Sequence, residues 1–136
     1  MTTRNPETET SSEWLTRDRL MSALPDALLE KIRAFRDERD WAPFHNPKDM
    51  AIAISLEAGE LLEHFLWKNP EEVTARVESH REAISEEIAD IAIYLTELAD
   101  NLGIDLADAM EAKLAKNAAK YPVEKARGSA AKYNEL

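Results

Sequence analysis

The chain has 136 residues, enough for one domain with a real hydrophobic core and no covalent staples. Its 17 basic and 27 acidic side chains leave a net charge of −10, which repels polyanion backbones and disfavours a nucleic-acid-gripping role. Cysteine is absent, so disulfides and thiolate metal sites are excluded, and a reducing cytoplasm is the expected location.

In chain order, the polar stretch Met1–Ser12 has no apolar h-region and reads as a lead-in rather than a signal peptide. Residues 1–20 are expected to be disordered, with Trp14 and Leu15 available to dock. No apolar run reaches the ~18 to 20 residues of a bilayer span, so no membrane partner is expected. Residues 21–122 are dominated by helical periodicity. A first helix is predicted over Pro25–Asp40, with Leu28, Leu29, Ile32 and Phe35 on one side. "WAPFHNP" breaks it, and Asn46-Pro47, an N-cap followed by a proline at the first helical position, opens a second helix to about Trp67. Asn69-Pro70-Glu71-Glu72 repeats that signal with a glutamate at N3 and predicts a short helix or turn. A third helix covers about Arg81 to Leu102 and is stopped by Gly103. A fourth, capped by Asp105, runs to about Lys120 ahead of Pro122, and residues 123–136 form an irregular tail. Together these predict an all-α, antiparallel four-helix-bundle-like fold whose wide apolar faces favour a homo-oligomer.

Two acid pairs stand out. In "SLEAGELL", Glu57 and Glu60 lie three residues apart on the apolar side of the second helix, with Ile54 and Leu61 flanking Glu57 and His64 one turn beyond Glu60. In "SEEIADIAIYL", Glu86, Glu87, Asp90 and Tyr94 share a face of the third helix, and Glu97 and Asn101 extend it as a polar stripe. If the two helices are antiparallel neighbours, four carboxylates meet at one level and need a cation between them. Oxygen-only ligation selects hard cations, Mg²⁺ first and Mn²⁺ next. A di-iron bundle would need Glu-x-x-His pairs, and none of His45, His64 or His80 follows a glutamate by three residues. Ordinary charged helix surface is the commoner explanation for such spacing alone, and the apolar flanks of Glu57 and Glu60 weigh against it. Lys113 and Asn117, at i and i+4 on the fourth helix, suit phosphate oxygens and equally suit a solvated helix end. Trp41, Phe44, His45 and Trp67 could sandwich a base, although aromatic side chains are more often core. With glycine only at 59, 103 and 128, phosphate loops of the P-loop and Rossmann kind are absent.

Three stretches, "FRDERDWAPFHNPKDMAIAISLEAGELLEHFLWK", "EEIADIAIYL" and "KNAAKYPVEKARGSAAKYNEL", resemble the MazG-like all-α nucleoside triphosphate pyrophosphatases, most closely their dCTP pyrophosphatase branch. The resemblance covers about Leu24 to the C-terminus. It implies a tetramer, a dimer of dimers, in which Glu57, Glu60, Glu87 and Asp90 hold Mg²⁺. It further implies hydrolysis of the α–β phosphoanhydride to a nucleoside monophosphate and pyrophosphate, with Glu57 or Glu86 orienting the water. By the same resemblance Trp41, His45, Trp67 and Tyr94 frame base and sugar, Lys113 and Asn117 meet the phosphates, and Arg127, Lys132 and Tyr133 close over them from the tail. A non-catalytic nucleotide sensor and a helical interaction module remain as alternatives.

Overall fold

Capping chemistry marks several helix boundaries in the computed structural model, which describes residues 26–136. The expected lead-in, with Trp14 and Leu15, lies outside the described residues. Six helices and no strand occupy the described residues: α1 Asp26–Asp37, α2 Pro47–Glu63, α3 Pro70–Ser79, α4 Arg81–Asn101, α5 Leu106–Lys120 and the single turn α6 Val123–Ala126. A 3-10 turn, Ala42–Phe44, links α1 to α2.

The first helix stops three residues before the sequence prediction. Asp40 takes a left-handed backbone (φ 53°), its N–H bonds the Asp37 carbonyl, and the Trp41 N–H reaches back to the Arg36 carbonyl. That reciprocal pattern closes a helix. Gly103 (φ 66°) ends α4 in the same way, with Gly103 N–H on the Asp100 carbonyl and Ile104 N–H on the Ala99 carbonyl. At the other ends, the Asn46 side chain accepts from the Asp49 N–H and Asp105 accepts from Asp108. Asn69 and Glu72 form a complete capping box. These are the caps predicted from the sequence. The second helix is shorter than expected: it ends at Glu63, and residues 64–67 form a turn that leaves Trp67 left-handed (φ 61°) and 93% exposed.

Packing centres on α2 against α4, with α1, α3 and α5 each lying on α4 over smaller areas. Polar clamps fasten α1 to α4. Arg33 grips Asp100 with two hydrogen bonds (Nε to Oδ2 2.8 Å), and Arg36 donates to Asn101 (2.9 Å). Only Ile32, Met50, Ile84 and Ala99 form the buried apolar core among the described residues, while Phe35, Ile52, Leu56, Leu62, Met110 and Leu114 are exposed. The last two belong to α5, so in the single chain α5 does not close the expected four-helix bundle over α2 and α4.

Candidate active site

The antiparallel run of α2 and α4 fixes which residues meet. His45, just before α2, hydrogen-bonds Glu97 near the end of α4. At the far end, the His64 ring lies 6.4 Å from that of His80, which precedes α4. Midway between, one carboxylate oxygen each from Glu57, Glu87 and Asp90 lies within 4.8 Å of the others. Glu57 and Glu87 are half-buried and Asp90 is exposed. Glu57 comes from the apolar side of α2, so its Oε2 is buried with no hydrogen-bond partner.

An orphaned buried carboxylate oxygen demands a compensating group. Burial, followed by the charges of Glu60, Asp90 and Glu87, pushes the Glu57 carboxyl above its ordinary value. Glu87 is raised in the same direction, by desolvation first and then by Glu60 and Asp90. The Tyr94 phenol rises with burial and with the charges of Glu57, Asp90 and Glu97. Glu60 adjoins the three-oxygen cluster rather than entering it, and it acts on both Glu57 and Glu87. Three carboxylates that bring an oxygen each together, one of them on a residue that also carries a buried, unpaired oxygen, fit a hard divalent cation. Glu86, expected on the same face, is exposed and stands outside the cluster.

On one side the acids adjoin a cavity of about 430 Å³ lined by Ile32, Phe35, Trp41, His45, Ile93 and Tyr94, with Asp90 and Glu97 also in its wall. The rings stand close: Phe35 to Trp41 5.7 Å, Trp41 to His45 6.2 Å and His45 to Tyr94 6.4 Å between centroids. On the other side lies a hollow of about 490 Å³ bordered by Glu60, Glu63, His64, Arg76 and Glu87. Arg76 approaches His64 Nδ1 at 3.2 Å, its Nε is buried without a partner, and it makes no ion pair among the described residues.

Of the nucleotide contacts expected from the sequence, Trp41, His45 and Tyr94 share the cavity, and Trp67 does not line it. Lys113 and Asn117 lie on the sparsely packed α5, and within the chain neither joins the acid cluster or its two hollows. The tail folds against the end of α5, with Tyr133 6.1 Å from Tyr121 and Lys120 over its ring at 5.0 Å. Arg127, Lys132 and Tyr133 are therefore exposed there and do not cover the acids within one chain. Residues missed from the sequence are Glu97, Arg36 and Arg76. Glu97, read as part of a solvated stripe, is 3% exposed. Its position three residues after Tyr94 and seven after Asp90, on the face of α4 that carries both, was the available signal.

Residues 52–136 match the family model described as MazG-like, and the chain belongs to the MazG-like family. Among curated relatives, dCTP pyrophosphatase 1 of Bos taurus is 45% identical over 114 residues, covering 79% of this chain and 68% of that protein. The human protein of the same name is 42% identical over 118 residues, covering 82% and 69%. The solved structure of a pyrophosphatase from Archaeoglobus fulgidus superposes with a TM-score of 0.69 at 42% identity, over 71% of this chain and 91% of that one.

Proposed function

We infer that this chain, a nucleoside triphosphate pyrophosphatase like its relatives, cleaves the α–β phosphoanhydride of a deoxynucleoside triphosphate, releasing the monophosphate and pyrophosphate. A cytosine nucleotide, dCTP or a modified form, is the favoured substrate, in keeping with the names of the curated relatives. The observation that carries the reading is the unpartnered, buried Oε2 of Glu57 within a three-carboxylate cluster that shares Asp90 with an aromatic cavity.

Glu57, Glu87 and Asp90 would hold Mg²⁺, with Mn²⁺ as a substitute and Glu60 completing the set from α2. When bound, the cation supplies neutralisation of the triphosphate and of the charge that develops on departing pyrophosphate. The cavity residues Trp41, His45 and Tyr94 bind and orient base and sugar, and the rings exclude water from around them. Asp90 stands in both the cavity wall and the acid cluster, so a base seated in the cavity leads its phosphates to the acids. Arg76 and His64 border the hollow beyond Glu60 and Glu87, where distal phosphate oxygens would find a guanidinium that makes no ion pair among the described residues. Glu57, within the acid cluster, would orient the water that attacks the α-phosphorus in line. Its place in the cluster favours it over the exposed Glu86.

The large apolar side chains left exposed on α2, α4 and α5 support assembly with further copies of the chain, and a tetramer is the assembly that the resemblance implies. Association would bring α5 and tail residues of one copy within reach of another. Pool cleansing in the cytoplasm is the role that this activity suits. No helix among the described residues is long and apolar enough to cross a membrane.

Incubation with canonical and modified deoxynucleoside triphosphates plus Mg²⁺, with monophosphate and pyrophosphate both measured, tests the reading. Glu60→Gln and Asp90→Asn should each lower release by more than about tenfold with the assembly intact. Binding of nucleotide without release would make the chain a sensor instead.

A further inference from the structure

Glu97 is the one charged residue buried among the described residues, at 3% exposure. Its Oε1 lies 2.8 Å from His45 Nδ1 and 3.6 Å from the guanidinium of Arg36. Arg36 is itself fixed, its Nε donating to Asp37 (2.8 Å) and its Nη1 to Asn101 (2.9 Å). A carboxylate beside an arginine is an acceptor only. The short contact with His45 therefore requires the hydrogen to reside on Nδ1. In the neutral ring that leaves Nε2 as a bare lone pair, because the partner of one ring nitrogen dictates the state of the other. The ring itself lines the cavity between Trp41 and Tyr94, held in place by the 3-10 turn before it and the Asn46 cap after it.

We propose that Glu97 is a positioning residue that locks His45 in the Nδ1–H tautomer, so that the cavity offers an acceptor at Nε2 and selects a nucleobase edge bearing an amino donor over one bearing a carbonyl. Cytosine carries an amino group at the position where uracil carries an oxygen. A carbonyl facing the Nε2 lone pair is left without a donor in a desolvated pocket, and such a mismatch disfavours the wrong base more than it favours the right one. Glu97 touches no substrate in this scheme and acts wholly through His45. The proposal rests on the reading that the cavity receives the base of a nucleoside triphosphate.

The replacement Glu97→Gln keeps the shape and can donate its amide N–H to Nδ1, which frees His45 to carry its hydrogen on Nε2. Two measurements decide the matter. The first is the nitrogen-15 spectrum of the imidazoles in the wild-type chain, taken well above neutral pH, where only three histidines need assigning. His45 should show a protonated Nδ1 and a bare Nε2, and an Nε2–H ring there overturns the proposal even if the variant does not fold. The second is the ratio of kcat/KM for dCTP to that for dUTP. Glu97→Gln should lower this ratio by about tenfold, the worth of one hydrogen bond, chiefly through KM. Equal losses on both substrates would assign Glu97 a purely structural role and overturn the proposal. A wild-type chain that releases no pyrophosphate from any triphosphate refutes the proposed function itself and takes the base-selection claim with it. The tautomer lock would still be decided by the spectrum.

Discussion

Glu57→Gln followed by magnesium titration probes the acid cluster directly. Octahedral magnesium takes oxygens at about 2.0–2.1 Å, which places neighbouring ligands roughly 3 Å apart and opposite ones roughly 4 Å apart. The oxygens of Glu57, Glu87 and Asp90 already lie within 4.8 Å of one another, so side-chain rotation is enough to close them on an ion. Burial and mutual repulsion raise Glu57 and Glu87. A carboxyl whose folded pKa exceeds its unfolded value binds protons more readily when folded. The cluster therefore costs nothing below the ordinary carboxylate range, destabilises progressively as pH rises through the raised values, and exerts its full penalty near neutrality. Neutral pH is where a cation should help most. With free magnesium tenfold above its dissociation constant, linkage gives about 1.4 kcal/mol, or roughly 6 °C in melting temperature for a chain of this size. Glu57→Gln removes one ligand and the buried, unpartnered charge. Calorimetry at fixed protein concentration should find the metal-free variant melting at or above the wild type, with most of the magnesium response gone. In the acid range the wild-type response should shrink as well. Equal stabilisation of variant and wild type by magnesium would refute Glu57 as a ligand and the cluster as a cation site.

Other expectations follow from the fold. Asp100 is held below its ordinary value chiefly by hydrogen bonds from Arg33, so the clamp's contribution is present above the unfolded carboxyl pKa and lost as pH falls through the lowered one. Asp100→Asn should flatten that acid limb in urea denaturation series and lower the neutral melting temperature by roughly 4 °C. Met50, 1% exposed, is the one large side chain fully buried among the described residues, and Met50→Ala should cost about 2–5 kcal/mol by the same denaturation measurement. A Cβ at Gly59 meets nothing within 4 Å inside α2, so Gly59→Ala should stabilise by about 0.5–1 kcal/mol. Gly103→Ala, at φ 66°, should destabilise by about 1 kcal/mol through backbone strain alone.

Local chemistry made the helices legible. Asn46-Pro47, the Asn69–Glu72 box, Asp105 and Gly103 each act within a few residues, and each marks a boundary in the folded chain. The first helix is predicted three residues too long, because a non-glycine residue, Asp40, adopts the left-handed turn that follows its end at Asp37. Pairing of Glu57 with Glu87 and Asp90 was readable once α2 and α4 were taken as antiparallel, since apolar flanks marked the acids as core-facing. The polar clamps were not. Arg33 meets Asp100 across 67 residues and His45 meets Glu97 across 52, and no periodicity relates partners so far apart. In α4 the charge of Glu97 suggested solvent, yet the side chain is covered because two basic partners come from elements earlier in the chain.

The double placement of Asp90 divides the freedom of this site unequally. The helix α4 supplies Asp90 to the cavity wall and to the acid cluster alike, so on the proposed reading changes along that face would alter base fit and phosphate chemistry together. Opposite it, α1 and the turn after it supply Ile32, Phe35 and Trp41, which belong to the cavity and not to the acids. If the cavity takes the base as proposed, drift toward a new nucleobase would proceed through that wall without touching the acid cluster. The same asymmetry tells an engineer where to build a library, on α1 and its turn, and which helix to leave fixed.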